Sequence, residues 1–248
     1  MSGWLLAVAL ARAGVQDDYE AGLAALRAGD HAAAVERLAA AQAAGGEDPA
    51  VYHALGNALY RQDRLGEAMA AWRRGLVLEP GSADLVVNLE RARSETRDKL
   101  APPVVELGPF FWQRWLSRRA SAMLASAAAT AGLVMLVSVR LRWAAAGALL
   151  VSGLLGASTW QAGRAAQSAT VIAEEVSAQS APSDSGVALF VLHEGAEVRV
   201  LEQPAGGAVL VMLSDGRKGW LPAGALRSTM PGDPFPVQIQ DSSSASEK

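Results

Sequence analysis

The side chains that could do acid–base, nucleophilic or metal chemistry in this chain are few and far apart. Its three histidines, His31, His53 and His193, lie in different sequence contexts, and no two share the spacing of metal ligands. There is no cysteine, which excludes disulfides, cysteine-ligated zinc and thiol catalysis. The sequence has no phosphate-binding loop or serine elbow, and the adjacent Glu174 and Glu175 are most simply a solvated pair. We therefore predict no catalytic residue, no metal site and no cofactor.

The charges divide the chain into three parts. Residues 17–100 carry 14 acidic and 10 basic side chains, residues 101–167 carry one acid against six arginines, and residues 168–248 carry 10 acids and five bases. An apolar, arginine-flanked centre between two acidic flanks indicates contact with a membrane. It does not indicate a nucleic-acid binder, which would need a basic domain.

Small and large apolar residues recur in the first part at an offset of 34 residues, the length of a helix–turn–helix unit that stacks on its neighbours. The aligned pairs are Gly22 with Gly56, Ala34 with Ala68, and Leu38 with Trp72. Gly56 and Ala68 stand where two antiparallel helices would cross closely. The spacing therefore predicts paired helices packed through small residues.

The stretch from 52 to 80 resembles the tetratricopeptide repeat. The residues at that family's signature positions are Tyr52, Leu55, Gly56, Ala68, Trp72 and Pro80. Asp63 departs from the usual turn glycine, and Gly75 from the usual alanine. The resemblance implies a repeat domain over 16–100, in which 83–100 forms a capping helix.

That resemblance also implies a concave groove lined by the first helix of each pair. The groove residues would be His53, Asn57, Tyr60, Arg61, Asn88 and Arg91. Asn57 and Asn88 match two asparagines that hold a peptide carboxylate in some family members, but His53 replaces the lysine that usually accompanies them. Two interpretations stay open: a peptide-binding surface, and a solvated groove wall.

Residues 120–139 and 143–163 are uncharged and are separated by the sequence Arg140-Leu141-Arg142. About twenty residues cross a hydrocarbon core of roughly 30 Å, so the pattern predicts a two-span helical hairpin over 120–163. Tryptophans flank the two stretches as interfacial residues do. Residues 101–119 would form a linker and a juxtamembrane amphipathic helix.

The last part of the chain is predicted to be β-structure. Short segments rich in valine and leucine alternate with turn sequences, among them Asp215-Gly216, a favoured hairpin turn. The stretch from VLHEG to GWLPAGAL resembles bacterial SH3 domains, which implies an SH3-like barrel over 168–229. Trp220 would then be either a ligand-binding platform or part of the barrel core. Residues 230–248 are predicted to be a mobile tail.

The predicted fold class is therefore multidomain: an all-α tetratricopeptide solenoid, an α-helical transmembrane hairpin and an all-β SH3-like barrel. This order of modules resembles BatE-like proteins of bacterial aerotolerance-type operons. The resemblance implies an accessory role beside membrane proteins that carry von Willebrand A domains and a MoxR-type AAA+ system. It names no activity.

Two features disagree about the side of the membrane. Residues 1–15 form a hydrophobic leader, and Ala11-Arg12-Ala13 has the small-x-small form of a signal-peptide cleavage site. The arginines flanking the predicted hairpin instead favour cytoplasmic ends under the positive-inside rule. We favour the bacterial inner membrane with both globular parts periplasmic, because the leader is then explained and bacterial SH3-like modules usually lie outside the cytoplasm.

Two functions follow as hypotheses. The first is a membrane-anchored protein-interaction scaffold without catalysis. The second is a cell-envelope sensor whose SH3-like part binds wall peptide or another ligand. Binding of a muropeptide by residues 168–229 would favour the sensor.

Overall fold

The computed structural model describes residues 2–45, 47–102, 112, 116, 118–136, 142–165, 168–182, 186–203 and 207–229. The helices within these ranges are α1 (Ser2–Ala28), α2 (His31–Ala43), α3 (Pro49–Tyr60), α4 (Leu65–Leu78), α5 (Ala83–Glu95), α6 (Arg118–Met135) and α7 (Arg142–Ala165). The strands are β1 (Ser168–Val171), β2 (Glu175–Gln179), β3 (Ala188–His193), β4 (Glu197–Glu202), β5 (Ala208–Met212), β6 (Lys218–Pro222) and β7 (Leu226–Ser228).

Helices α1 to α5 form a body of antiparallel pairs, and its two crossings use equivalent residues. A Cβ on Gly22 would overlap the Leu38 side chain, and a Cβ on Gly56 would overlap the Trp72 indole. Each glycine therefore lets the next helix approach closely, as the 34-residue spacing predicts. Asp30 and Asp48 cap α2 and α3 by accepting hydrogen bonds from Ala33 N at 3.0 Å and Ala50 N at 2.8 Å.

The seven strands form a single antiparallel sheet in the order β3-β2-β6-β5-β4-β1-β7. Its apolar core is formed by side chains of most strands, with Val171, Val198, Val211 and Leu221 fully buried. The turn at Asp215 and Gly216 joins β5 to β6, and Gly216 has a positive φ of 88°, which glycine adopts without strain.

The helical body and the sheet share a tight interface. The backbone N–H of Gly66, at the start of α4, donates to Glu194 Oε1 at 2.7 Å, although 128 residues separate the two positions. A Cβ on Gly195 would lie 2.5 Å from Thr96 Cγ2. The two parts therefore pack as one unit, and the separate domains expected from the sequence are not observed.

The predicted SH3-like barrel is wrong, because the sheet is open. Closure would require β3 and β7, its first and last strands, to pair with each other. β7 has only three residues, and the side chain of Arg74 in α4 donates to the Ser228 carbonyl at 3.0 Å. Its position against a helix leaves the sheet with two separate edges.

The predicted two-span hairpin is also contradicted. Within the described residues, only one helix is long and apolar enough to cross a membrane, over Trp143–Trp160. The apolar part of α6 covers only Ala120–Met135, about 24 Å at 1.5 Å per residue, whereas a hydrocarbon core measures about 30 Å. The prediction counted uncharged residues, many of which are weakly hydrophobic alanines, serines and threonines.

Three further sequence predictions concern the leader, the linker and the tail. Helix α1 continues without interruption past residue 15, the predicted end of the leader. Most of the linker at 101–119 and the whole tail at 230–248 lie outside the described residues.

Candidate partner-binding groove

Helices α3 and α5 lie side by side and run in the same direction. Asn88 of α5 contacts His53 of α3, and about two turns later Glu95 contacts Tyr60. Residue numbers thus increase together along both helices. Five of the six predicted groove residues belong to these two helices, and Arg61 follows α3 directly, so the structure brings this predicted set to one surface.

Three side chains at the centre of the groove form a hydrogen-bonded cluster, which we call the amide cluster: His53, Asn57 and Asn88. The indole of Trp72 donates to Asn57 Oδ1 at 3.3 Å, and an indole N–H can only donate. This fixes the orientation of the Asn57 amide. Asn88 Nδ2 then donates to the same oxygen at 3.1 Å and to His53 Nε2 at 3.2 Å.

These contacts determine what the cluster still offers to a partner. His53 Nε2 accepts hydrogen bonds, so the neutral ring carries its proton on Nδ1. Neither His53 Nδ1 nor Asn88 Oδ1 has a hydrogen-bond partner among the described residues. One free donor and one free acceptor suit the C=O and N–H groups of a peptide backbone. They suit a carboxylate less well, because both Nδ2 protons of Asn88 are already used.

Beyond the amide cluster the groove carries charge. The Tyr60 hydroxyl donates to Glu95 at 2.7 Å, and this hydrogen bond, followed by partial burial, raises the pKa of Tyr60. The guanidinium of Arg91 lies 5.7 Å from the Tyr60 ring centroid and 3.7 Å from Glu95. Arg61 caps the end of α3, is exposed, and makes no ion pair with any described residue.

The other end of the groove is acidic, which the sequence did not predict. An open cleft of about 490 Å³ lies where α3 and α5 begin and α4 ends. Its lining comprises Asp48, Pro49, Ala50, His53, Leu78, Glu79, Ser82 and Asp84. The side chains of Glu79 and Asp84 make no hydrogen bond or ion pair within the described part of the chain. We call this surface the acidic cleft.

Trp220, the remaining predicted binding residue, is not part of the groove. It lies in β6, half-buried, opposite Gln179 on one side and Leu210 on the other. Its position in the interior of the sheet leaves only part of the ring exposed.

The buried ionic contact between the helical body and the sheet also escaped prediction. Glu197 of β4 has 3% of its side chain exposed and binds two arginines. Arg93 donates Nε to Oε2 at 2.7 Å and a second N–H to Oε1 at 3.2 Å, while Arg73 Nε lies 2.7 Å from Oε1. Burial lowers the pKa of Arg73, and the nearby carboxylate opposes that shift.

A second group of polar contacts lies beside this one. Asp98 accepts from the backbone N–H of His193 at 2.6 Å and lies 3.0 Å from His193 Nδ1. Burial raises the pKa of Glu194, and its hydrogen bond from Gly66 only partly offsets this. A signal for these contacts was present: Arg73 and Arg74 interrupt the otherwise apolar stretch 68–78.

Helices α6 and α7 pack on each other and leave an apolar outer face. Ser152 donates to the Ala125 carbonyl at 2.8 Å, and a Cβ on Gly132 would meet Leu149 at 2.9 Å. The exposed large side chains of the two helices include Met123, Leu133, Val134, Trp143, Leu150 and Trp160. An exposed apolar surface of this kind marks contact with lipid or with another protein.

Comparisons with models of known protein families, with curated proteins and with solved structures find no match for this chain. In the part of the chain that the structure describes, no three His, Asp or Glu side chains converge as metal ligands would.

Proposed function

We propose that this protein is a membrane-associated interaction scaffold whose α3–α5 groove binds an extended peptide segment of a partner protein. The observation that carries the proposal is the amide cluster, in which His53 Nδ1 and Asn88 Oδ1 remain available to a peptide backbone. Hydrogen bonds of this kind each contribute about 0.5–1.5 kcal/mol, so several must act together with charge.

The exposed charges of the groove support the same proposal. Arg61, Glu79 and Asp84 form no ion pair with described residues, so they remain available to a partner. When a partner forms an ion pair at such positions, the charged groups lose part of their hydration. The ion pair therefore raises the selectivity and the association rate of binding more than it raises the affinity.

The apolar outer face of α6 and α7 supports association with a lipid bilayer. Lipid is the occupant that best fits a surface combining exposed leucine, valine and methionine with Trp143 and Trp160. The chain leaves the helical body after α5 and re-enters the same packed unit at β1. The groove and the sheet therefore lie on one face of the bilayer.

The resemblance to BatE-like proteins leads us to propose the bacterial inner membrane, a periplasmic groove and a partner among von Willebrand A-domain proteins or a MoxR-type AAA+ system. No part of this proposal requires catalysis by the chain.

A charge-reversal experiment tests the scaffold function. The double variant Arg61→Glu/Arg91→Glu changes the groove, and Arg97→Glu/Lys218→Glu makes the same net change at exposed positions outside it. Each protein is purified from its own membranes in detergent, and co-purified proteins are quantified by mass spectrometry. We expect the groove variant to lose partners that the wild type and the control variant retain. Equal recovery by all three proteins would show that the groove is not the binding surface.

A further inference from the structure

The groove has opposite charge at its two ends. The acidic cleft contains Glu79 and Asp84, whose side chains form no ion pair with the residues that the structure describes. At the other end, Arg61 makes no ion pair with any described residue, and Arg91 stands over Tyr60 and lies 3.7 Å from Glu95, so two arginines stand there against one carboxylate. The amide cluster lies between the two ends and contains no carboxylate, lysine or arginine.

Local helix energetics explain only some of these charges. Asp48 caps α3, and Asp84 lies in the first turn of α5, where a negative charge stabilises a helix. Arg61 likewise suits the C-terminal end of α3. Glu79, however, stands at the C-cap of α4, where the helix dipole disfavours an acid. A role in binding explains the acid at position 79, whereas helix stability does not.

From these observations we infer that the groove selects a charge-segregated peptide, with lysine or arginine in the acidic cleft and acidic residues or a carboxylate beside Arg61 and Arg91. This inference rests on the proposed function and adds the chemical class of the partner segment. The thirteen steps from Asp48 to Arg61 span about 20 Å of helix, which an extended peptide covers in about six or seven residues. The charged ends of the segment are therefore separated by about that length.

The pattern also assigns a register to the peptide. Cationic side chains enter the acidic cleft beside His53, the central backbone meets His53 Nδ1 and Asn88 Oδ1, and the acidic end lies beside Arg91. A peptide with the same composition but interleaved charges would place like charges together at both ends of the groove. Such juxtapositions are unfavourable.

Two peptides with blocked ends test this inference against the full-length protein in detergent. KKAGSGAEE has segregated charges, and KEAGSGAEK has the same composition with charges that cancel at each end. Fluorescence anisotropy at low ionic strength measures their dissociation constants. We expect the segregated peptide to bind about fivefold to tenfold more tightly, as one or two exposed ion pairs would allow. The difference should collapse in about 0.5 M salt.

Matched variants locate the effect. Glu79→Gln/Asp84→Asn should reduce the preference, because only Asp48 and the arginines at the other end then distinguish the peptides, whereas Glu36→Gln/Glu202→Gln, which removes two exposed acids elsewhere, should retain it in full. Circular dichroism of each variant checks that the helical body is intact. A preference of unchanged size in the cleft variant overturns the inference.

The remaining outcomes separate this inference from the proposed function. If the wild type binds both peptides equally, charge segregation is wrong while the groove remains a peptide site. If it binds neither peptide, the inference is overturned, and the partner-capture experiment with Arg61 and Arg91 decides independently whether the scaffold function survives.

Discussion

Individual residues decide how closely the elements of this protein approach one another. Gly56 illustrates this, because the indole of Trp72 occupies the space that a side chain at position 56 would need. The same indole donates to Asn57 and so fixes the orientation of the amide cluster. A packing residue and a binding residue are thus linked through one tryptophan.

Gly56→Ala should lower the free energy of unfolding by about 1–3 kcal/mol, because the added methyl group must displace the Trp72 indole in a closely packed crossing. Urea denaturation followed by far-ultraviolet circular dichroism measures this. Gly14→Ala in α1 is the control, since nothing lies within 4 Å of its Cβ position and alanine favours a helix. Equal destabilisation by both changes would contradict the described crossing.

Glu197→Gln should destabilise the fold by about 3–5 kcal/mol, because it removes the buried carboxylate that the partly buried Arg73 and Arg93 share. Glu202→Gln changes an exposed acid at the end of the same strand and should have almost no effect. Thermal unfolding of the two variants compares them directly. A neutral result for Glu197→Gln would show that the ion pairs do not stabilise the interface.

The helices and strands show which features of the fold could be predicted from the sequence. The 34-residue spacing predicted the helix pairs, because close crossings require small residues at fixed positions. The open sheet could not be predicted in the same way. The sequence pattern predicts individual strands, but it does not predict the helix contact that covers β7. The span predicted over 120–139 was wrong because the length of the helix, and not that of the uncharged stretch, decides whether a segment can cross a bilayer.

The candidate site likewise has a part that the sequence predicts and a part that it does not. The face shared by His53, Asn57 and Asn88 follows from helix periodicity and from the family resemblance. The acidic cleft does not, since it is assembled from the ends of three helices and the loop between α4 and α5. Likewise, the interior position of Glu197 depends on a helix packing against a strand about a hundred residues away.

The junction between α4 and the loop after β3 should respond to pH through Glu194. Its raised pKa means that the folded state binds a proton more strongly than the unfolded state. Stability should therefore fall as the pH rises from the usual glutamate value near 4.5 to the raised value. Glu194→Gln removes this dependence and retains an oxygen for the Gly66 N–H. The unfolding free energy of the variant relative to wild type should increase from pH 4 to pH 7, and a constant difference would contradict the assignment.

At the scale of the whole molecule, the shared interface predicts that the helical body and the sheet lie on the same side of the proposed membrane. The absence of cysteine allows single cysteines at Ala40, on α2, and at Ser214, in the β5–β6 turn, both exposed. A membrane-impermeant thiol reagent should label both positions from the same side of intact spheroplasts, and the proposed periplasmic location predicts labelling from outside. Labelling of one position alone would contradict the helix–sheet interface.

The contact between Arg93 and Glu197 also orders events during synthesis. The two residues are 104 positions apart, so the ribosome finishes the helical body long before the carboxylate exists. At about 5–20 residues per second, α4 and α5 wait on the order of 5–20 s with their arginines in water. During that interval α6 and α7 must leave the ribosome and reach the surroundings that they occupy in the mature protein. The surface that packs against the sheet is therefore the last part of the helical body to reach its final structure.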